Sequence, residues 1–334
     1  MKVTIKEVAK EANVSTSTVS RVISDSSQIS EETKQKVREA IKKLKYKPNA
    51  IARSLANNKT RILGVVLPNE AQDLISSTFF IQAMKGMSRY AQNKSYYITY
   101  AFSEDEKTEL KYINDFITSN LVDGICLLRA RTDDESIKYL KRTEFPFVVI
   151  GRPEESDGLL WVDNDNFQAT YNLVNELIKK GHKTIAFLGA KKEWNVTKDR
   201  FKGFKVACEI NGILIQDRNV VMMEEFNEKE GIKGTIKLLE NITPTAIIVE
   251  DDVLAFGTIK VLKERKLHNN VEIVGFNNNP LDEFQTPSLS SVDINAAELG
   301  YYAAKILIDH LENSEVGINH YIIDSKLIKR NSLK

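Results

Sequence analysis

The stretch Thr4–Val22 reads TIKEVAKEANVSTSTVSRV, and this pattern predicts two short helices joined by a tight turn. Thr4 is a favourable N-cap, and Glu7, three residues later, completes the signature of a capping box. Apolar residues recur at spacings of three and four, the period of a helix face; they are Ile5, Val8 and Ala9. The period breaks at residues 12–14, and Ser15 is placed to cap the second helix.

The second helix is expected to turn Val19 and Val22 inward and to leave hydroxyl groups and one cation on its outer side. That outer row consists of Thr16, Ser17, Thr18 and Arg21. A third helix, capped by Ser30, carries an apolar stripe toward the other two; the stripe consists of Val37, Ala40, Ile41 and Leu44. This arrangement has the shape and chemistry needed to enter a DNA major groove. We therefore predict DNA contacts from Thr4, Ser15 and the outer row.

Charge separates the first 61 residues from the rest of the chain. Residues 1–61 contain 14 Lys and Arg against 6 Asp and Glu, whereas residues 62–334 contain 33 against 40. The near-neutral total of +1 therefore combines a basic head with an acidic body. A basic head suits phosphate contacts at one end of the chain. The alternative is a solvated basic surface, and the helix-turn-helix pattern favours DNA.

Length and composition limit the class of protein. At 334 residues the chain suits two or three domains, and its 42% hydrophobic residues can build a large core. No apolar run reaches the roughly 20 residues of a membrane span, and the N-terminus lacks the apolar stretch of a secretory signal. Cys126 and Cys208 lie in apolar segments, which indicates buried free thiols in a reducing cytosol. The four histidines stand apart, so we expect a cytoplasmic protein without metal or cofactor.

Residues 46–57 read YKPNAIARSLAN and predict a short hinge between head and body. Pro48 ends the third helix or starts the next, and Asn49 can cap a helix with Ala52 and Leu55 on one face. A helix this short is marginal in water, so we expect it to form only when paired and docked. Leu55 then inserts between base steps in the minor groove, or it packs on the neighbouring domain. The spacing alone leaves both alternatives open.

From Ile62 to Glu312, continuous apolar strands alternate with helices, one of which is expected to begin at Arg200. Such strands favour parallel sheets that are covered on both faces. The repeat is long enough for two sheets of about five or six strands with a cleft between them. The segment 289–334 is expected to cross back to both sheets. Ligands in such folds bind beyond the carboxyl ends of the strands.

Polar residues directly after the predicted strands suit a ligand rich in hydroxyl groups, because Arg, Asp and Asn offer paired donors or acceptors. These residues are Arg129, Arg152, Asp251 and Asn277, and aromatic residues that can face sugar rings are Phe79, Phe80, Trp194 and Phe226. The two arginines are also typical of surface strand ends, and the two adjacent phenylalanines of a core. The acidic turn DNDN, which begins at Asp163, looks like a helix cap and lacks further metal ligands.

No catalytic constellation is apparent in the sequence. It contains no GxSxG, no GxxxxGK[ST] and no GxGxxG after a strand. We therefore expect a protein that is not an enzyme.

Together these motifs resemble the LacI/GalR family of bacterial transcription regulators over essentially the whole chain. The two N-terminal stretches are close to a family signature, and matching segments of the body are GHKTIAFLG (181–189), DRFKGF (199–204), VGFNN (274–278) and TPSLSSVD (286–293). The resemblance implies an all-α helix-turn-helix head with a hinge helix. It also implies an α/β core like a periplasmic binding protein, with two interwoven parallel-sheet lobes.

The resemblance places the head at 1–48, the hinge helix and linker at 49–61, and the effector-binding and dimerisation domain at 62–334. The first lobe would span about 62–161 and 290–320, and the second about 162–289 and 321–334.

Residue roles follow from the resemblance where the residues match. Arg21 corresponds to the arginine of the recognition helix, Thr16 and Ser17 to the positions that vary with operator sequence, and Leu55 to the leucine of the hinge. DNA contacts are expected from the hinge residues Asn49, Ala52, Arg53 and Leu55. Arg200 corresponds to the effector-binding arginine at a helix start. The full expected effector set is Phe79, Phe80, Arg129, Arg152, Asp163, Trp194, Arg200, Phe226, Asp251 and Asn277.

Four segments resemble the maltose-operon repressors of Gram-positive bacteria: SSTFF (76–80), CLLRAR (126–131), VIGRP (149–153) and VDNDN (162–166). The resemblance implies a homodimer that represses sugar-utilisation genes and leaves a pseudo-palindromic operator when maltose or a maltodextrin binds. One alternative is a catabolite-control regulator of the same family that takes a phosphorylated carrier protein as co-repressor. A second alternative is a sugar-binding or sugar-modifying α/β protein whose basic head is incidental.

Overall fold

The computed structural model describes residues 3–23, 26, 28–46, 59–68, 78–313 and 317–334. The chain divides into two compact units, 1–61 and 62–334. The expected hinge residues Asn49, Ala52, Arg53 and Leu55 lie outside the described residues, and so does the expected boundary between 48 and 49.

The described residues of the N-terminal unit form three helices, α1 (Ile5–Ala12), α2 (Thr16–Ile23) and α3 (Glu31–Lys43). The predicted caps are present. The Thr4 backbone N–H donates to the Glu7 carboxylate at 2.7 Å, and the Thr18 and Thr33 N–H groups donate to Ser15 Oγ at 3.1 Å and Ser30 Oγ at 3.4 Å. The helices meet around a small core; its buried members are Val8, Ala9, Val19, Val22, Val37 and Ala40.

The C-terminal unit contains two lobes, each built on a six-stranded sheet. The first sheet has the order β11-β5-β4-β3-β1-β2, and its paired strands run parallel. Its strands are β1 (Ile62–Leu67), β2 (Tyr97–Phe102), β3 (Gly124–Leu127), β4 (Phe147–Ile150), β5 (Leu160–Asn164) and β11 (His320–Ile323). Its helices are α4 (Thr78–Asn93), α5 (Glu106–Thr118), α6 (Glu135–Thr143) and α11 (Ala296–Leu311).

The second sheet has the order β12-β10-β9-β8-β6-β7, and only the pairing of β12 with β10 is antiparallel among its described pairs. Its strands are β6 (Ile185–Ala190), β7 (Val220–Met223), β8 (Ala246–Val249), β9 (Glu272–Phe276), β10 (Ser290–Asp293) and β12 (Lys326–Ile328). Its helices are α7 (Asn166–Lys179), α8 (Asn195–Ile210), α9 (Glu228–Asn241) and α10 (Asp252–Glu264). The expected fold class is confirmed.

The chain passes between the lobes three times, after Asn164, after Asp293 and after Ile323. The expected limits at 161, 290 and 320 are therefore misplaced by a few residues. The limits at 290 and 320 fall at β10 and β11, strands of four residues whose sheet is decided by pairing with other parts of the chain. The limit at 161 falls inside β5.

Burial within the described residues agrees with the apolar pattern of the strands. Every residue of β3, β4 and β8 is buried, as expected for strands covered on both faces. Cys126 and Cys208 are buried free thiols, as predicted. No helix in the described part of the chain is long and apolar enough to cross a membrane.

Helices α4 and α11 cross at very short range in the first lobe. A Cβ atom added to Gly86 would lie 1.8 Å from the Ala297 carbonyl oxygen, and one added to Gly300 would lie 1.9 Å from the Ala83 carbonyl oxygen. Both clashes are with backbone, which cannot move aside as a flexible side chain can. The two glycines thus permit the close contact that packs α11 against α4 in the first lobe.

We predict that Gly300→Ala lowers the free energy of unfolding by about 1–3 kcal/mol or more, because the added methyl group forces two backbones apart. The matched control is Gly317→Ala, whose added Cβ would meet nothing within 4 Å. Urea unfolding of both variants measures the difference. Equal stability of the two variants would contradict the close crossing.

Candidate functional site

A cavity of about 110 Å³ lies between the two lobes. Its walls come from the segments that follow β3, β4, β8 and β9, from β5, and from the start of α8. Because the sheets are parallel, these carboxyl ends meet at one edge, as expected for a ligand site in such folds. No Ser, Thr, Cys, His or Lys is among the described residues of its lining. The described lining therefore offers hydrogen-bonding groups and aromatic faces.

Arg200 is the centre of the polar part of the cavity. Its side chain is buried, Nε donates to Asn166 Oδ1 at 3.0 Å, and Nη1 donates to the Glu250 carbonyl oxygen at 2.8 Å. The guanidinium carbon lies 4.2 Å from the centre of the Phe276 ring. Burial lowers the pKa of Arg200, and the nearby Glu250 counteracts that change. The arginine thus joins α7, α8, β8 and β9 at one point.

Three carboxyl groups surround this arginine, and burial is the largest influence on each. Burial raises the pKa of Asp163 and of Asp251 to about 6 and that of Glu250 to about 7, while the charge of Arg200 opposes each rise. Asp163 is held by the backbone N–H of Arg152 at 2.8 Å and by Asn166 Nδ2 at 2.9 Å. These two hydrogen bonds hold the Asp163 carboxyl group in place beside the cavity.

The turn after β9 is shaped to bring an amide into the cavity. Asn277 has a φ of +99°, a conformation that asparagine tolerates better than most residues. Its Nδ2 donates to Asp251 Oδ2 at 2.6 Å, while Asp251 also caps α10 through the Val253 N–H at 2.7 Å. The neighbouring Asp252 accepts from the Asn279 N–H at 2.9 Å and anchors the same turn. The position of Asn277 is therefore set by the start of α10.

Aromatic rings also line the cavity. The Phe79 and Phe80 rings meet edge to face with centres 5.1 Å apart, and the Trp194 and Phe226 rings lie 5.3 Å apart. Phe80 is buried and Phe79 half-buried, and both line the cavity. Phe79 and Phe80 therefore combine the two alternatives, because they pack into the core and also line the cavity. Apolar faces opposite polar groups suit the two sides of a sugar ring.

Nine of the ten expected effector residues line the cavity: Phe79, Phe80, Arg129, Asp163, Trp194, Arg200, Phe226, Asp251 and Asn277. The exception is Arg152, which does not line the cavity, so its effector contact stays a prediction. Its backbone N–H donates to Asp163, but its guanidinium lies over the Trp161 ring at 5.6 Å and it lines a neighbouring surface cleft, which shares Asn164 and Asn166 with the cavity. A residue two positions beyond a strand can turn to either side of the sheet edge, and the preceding Gly151, with a φ of +107°, redirects the chain here.

Three polar residues of the cavity were not expected from the sequence, Asn164, Asn166 and Glu250. Glu250 accepts from the Ala190 N–H at 3.2 Å and from the Thr197 hydroxyl, so it supports the loop before α8. A charged residue that ends an apolar strand was the available signal for Glu250. Asn166 belongs to the acidic turn DNDN, which the sequence predicted to be a helix cap. Asp165 of this turn does cap α7, because its side chain accepts from the Gln168 N–H at 2.8 Å.

The outer row of α2 is the candidate DNA surface of the head. Thr16, Ser17 and Arg21 are exposed, as predicted, whereas Thr18 is half-buried and its hydroxyl lies 2.9 Å from Ser15 Oγ. Ser15 and Thr18 therefore support the start of the helix, and the two residues between them are the more accessible. The DNA contacts themselves, including that of Thr4, stay predictions.

Comparison with known proteins places both parts of the chain. The family of bacterial regulatory proteins called the lacI family matches residues 4–49, and a periplasmic binding protein-like domain matches residues 174–333. The transcriptional regulator MalR of Streptococcus pneumoniae is 36% identical over 317 residues, which cover 94% of each chain. Catabolite control protein A of Priestia megaterium is 33% identical over 339 residues and covers 100% of each chain.

A solved structure agrees with these relatives. The probable maltose operon transcriptional repressor of Staphylococcus aureus superimposes with a TM-score of 0.74 at 25% sequence identity. The match covers 82% of this chain and 98% of that chain.

We predict that Glu250→Gln weakens the pH dependence of stability. The pKa of Glu250 rises from 4.5 to about 7 on folding, so between these values the folded protein holds a proton that the unfolded chain has released. Stability therefore falls as the pH rises through this window. Over this pH range the free energy of unfolding of the variant should fall by about 1–3 kcal/mol less than that of the parent, since one pKa unit corresponds to about 1.4 kcal/mol.

Urea unfolding at about pH 5 and about pH 7.5 measures this difference. The charge-matched control is Glu240→Gln, on an exposed position of α9. An unchanged pH slope in Glu250→Gln would show that this carboxyl group does not bind the extra proton.

Proposed function

We propose a specific role for this chain, which belongs to the lacI family of bacterial regulatory proteins. It is a DNA-binding transcription regulator, and we assign it to the control of sugar-utilisation genes, with maltose or a maltodextrin as the effector. The observation that carries the proposal is the cavity between the lobes, which brings buried polar groups and aromatic rings together in a chain with a helix-turn-helix head. The likeness to maltose operon repressors supports the choice of sugar.

The head would supply the DNA contacts. Lys and Arg side chains of residues 1–61 contact phosphates, while Thr16, Ser17 and Arg21 face base edges in the major groove. Two chains pair through the units 62–334 and place two heads about one helical turn apart on a pseudo-palindrome. In this arrangement paired hinge segments bring Leu55 to a central base step.

The cavity would supply the control. A sugar held by Arg200 and Asn277 on one side and by Phe79 and Trp194 on the other contacts both lobes at once. Such a ligand favours one relative orientation of the lobes and disfavours others. It can reduce DNA affinity only by the factor by which its own affinity differs between the two states. Separation of the hinges would then release the operator.

The direct test measures operator binding by the full chain with and without maltose. Fluorescence anisotropy of a labelled operator duplex should show tight binding that weakens as maltose is added, and that weakens far less with a sugar the cavity does not accept. Operator binding that is indifferent to every candidate sugar would overturn the proposed control, and failure to bind any duplex would overturn the assignment of the head.

Leu55→Ala should weaken binding to the operator by about tenfold or more, because the cost of unstacking a base step is no longer offset by an inserted side chain. Binding to a nonspecific duplex should change little, since it depends on phosphate contacts. Leu55→Met, which keeps an apolar side chain of similar length, is the control. An equal loss on both duplexes would exclude the lever role.

Arg200→Lys should raise the maltose concentration needed for half-release of the operator by about tenfold or more, because lysine cannot reproduce the forked geometry of the guanidinium. Operator affinity without sugar should stay within about twofold of the parent. Arg218→Lys, on an exposed position before β7, is the matched control. Unchanged release in Arg200→Lys would remove this arginine from the effector site.

The whole-length likeness to catabolite control protein A supports a second candidate function. A regulator of that kind would take a phosphorylated carrier protein as co-repressor. The two candidates differ in sign: the carrier would tighten operator binding, whereas the sugar would weaken it. Titration of the operator complex with phosphorylated and unphosphorylated carrier separates them.

A further inference from the structure

Two buried aspartates, Asp252 and Asp282, contact the turn that carries Asn277 into the cavity. Asp252 begins α10, and Asp282 belongs to the short helix Pro280–Phe284 that follows the turn. Neither aspartate is more than 1% exposed, and neither lines the cavity. An ionised carboxylate is costly to bury unless neighbouring groups compensate its charge. Two of them in one place therefore require such groups.

The hydrogen bonds of the two carboxyl groups differ. Asp252 accepts from the Asn279 N–H at 2.9 Å and from the Ser291 hydroxyl at 2.8 and 2.9 Å. Both side-chain oxygens of Asp282 are buried, and neither accepts a hydrogen bond from a donor in the described part of the chain. Buried polar atoms are nearly always satisfied in folded proteins. Asp252 thus has its donors, whereas Asp282 lacks one.

Cations near the pair offset only part of its charge. Arg330 Nη1 lies 3.7 Å from Asp282 Oδ2, which is beyond hydrogen-bonding distance. The other charged groups around the pair and its cation are Arg200, Asp251 and Glu283. With the two aspartates included, carboxyl groups outnumber guanidinium groups in this cluster. One more positive charge would bring the cluster closer to neutrality.

A single proton held between the two aspartates supplies both the missing donor and the missing charge. The two carboxyl groups lie within hydrogen-bonding reach of each other, and burial is the largest cause that raises the pKa of each. Ionised carboxylates can only accept hydrogen bonds, so the contact becomes a bond when one of them is protonated. Because Asp252 already accepts from two groups, Asp282 is the donor. The pair then titrates as a unit.

The same cluster holds the turn in place. The Asp282 N–H donates to the Asn279 carbonyl oxygen at 2.9 Å, while the Asn279 N–H is held by the other aspartate. Arg330 Nη2 donates to Asn278 Oδ1 at 2.7 Å. Asn277 therefore reaches the cavity from a turn whose next two residues are bonded to this cluster. Repulsion between two ionised aspartates would act directly on that turn.

We propose that Asp252 and Asp282 share one proton at neutral pH, and that this proton-sharing pair positions Asn277 for the effector. The positioning role rests on the proposed function, whereas the shared proton rests on the contacts of the two aspartates alone. The proton leaves the folded pair only as the pH rises beyond about 7. Since a raised carboxyl pKa stabilises the protonated form of the fold, the stabilisation is lost as the pH rises. Effector affinity should fall with it.

Infrared spectroscopy of the full chain tests the shared proton without any effector. A protonated carboxyl group gives a C=O stretching band that a carboxylate lacks. The difference spectrum between the parent and Asp282→Asn at about pH 7 should contain this band, because the amide removes the shared proton. Glu283→Gln, at the exposed neighbouring position, removes an ionised carboxylate, so its difference spectrum should lack the band. A spectrum without the band for Asp282→Asn would overturn the pair.

Release of a labelled operator duplex by maltose tests the positioning role. Between about pH 6.5 and about pH 8.5 the maltose concentration for half-release should rise about three- to tenfold more in the parent than in Asp282→Asn, whose amide donates to Asp252 at either pH. Changes common to both proteins come from the cavity carboxyl groups. Asp282→Ala, which lacks a donor, should need about fivefold more maltose even at the lower pH, where Asp282→Asn should match the parent. Glu283→Gln should follow the parent throughout.

The outcomes separate the positioning role from the proposed function. An equal pH dependence in the parent and Asp282→Asn, together with an unaltered response in Asp282→Ala, would exclude the positioning role while sugar control stands. Failure of maltose to release the parent at either pH would overturn the proposed effector, and the positioning role with it. The infrared band would still decide whether the two aspartates share a proton.

Discussion

A buried positive charge organises this molecule, because Arg200 can stay inside the protein only if neighbouring groups compensate it. Its guanidinium bonds Asn166 at the start of α7 and the main chain of Glu250 at the end of β8. Burial raises the pKa of the carboxyl groups around it, and the charge of Arg200 opposes each rise. A ligand with many hydroxyl groups can satisfy such a cluster without adding charge to it.

The path of the chain makes the same cluster sensitive to lobe orientation. Three crossings, after Asn164, Asp293 and Ile323, connect the lobes beside the cavity. Asn164 bonds two of these crossings together, since its Nδ2 donates to the carbonyl oxygens of Ile294 at 2.9 Å and Ile323 at 2.8 Å. A rotation of one lobe against the other must therefore be accommodated by the few residues of these crossings. A small shift at the cavity can then produce a rigid-body movement of a lobe.

Sequence alone predicts much of this fold, because local patterns determine the head helices, the buried strands and their order. It fails where long-range contacts decide. The sequence predicted that helix α8 begins at Arg200, whereas it begins at Asn195. The prediction missed the first turn because that turn contains β-branched residues of low helix propensity. Thr197 is anchored there by its hydroxyl, which donates to the Ala190 carbonyl oxygen at 2.9 Å. Arg129 and Arg152 follow strands in the same way, yet only Arg129 reaches the cavity, because the turn at Gly151 directs Arg152 away.

Sugar binding and DNA binding must be coupled in both directions if the cavity controls the head. Titration of maltose into the full chain, first free and then saturated with operator duplex, measures this coupling directly. The account predicts that operator DNA weakens maltose binding by the same factor by which maltose weakens operator binding. Identical maltose affinity in the free and DNA-bound protein would contradict it.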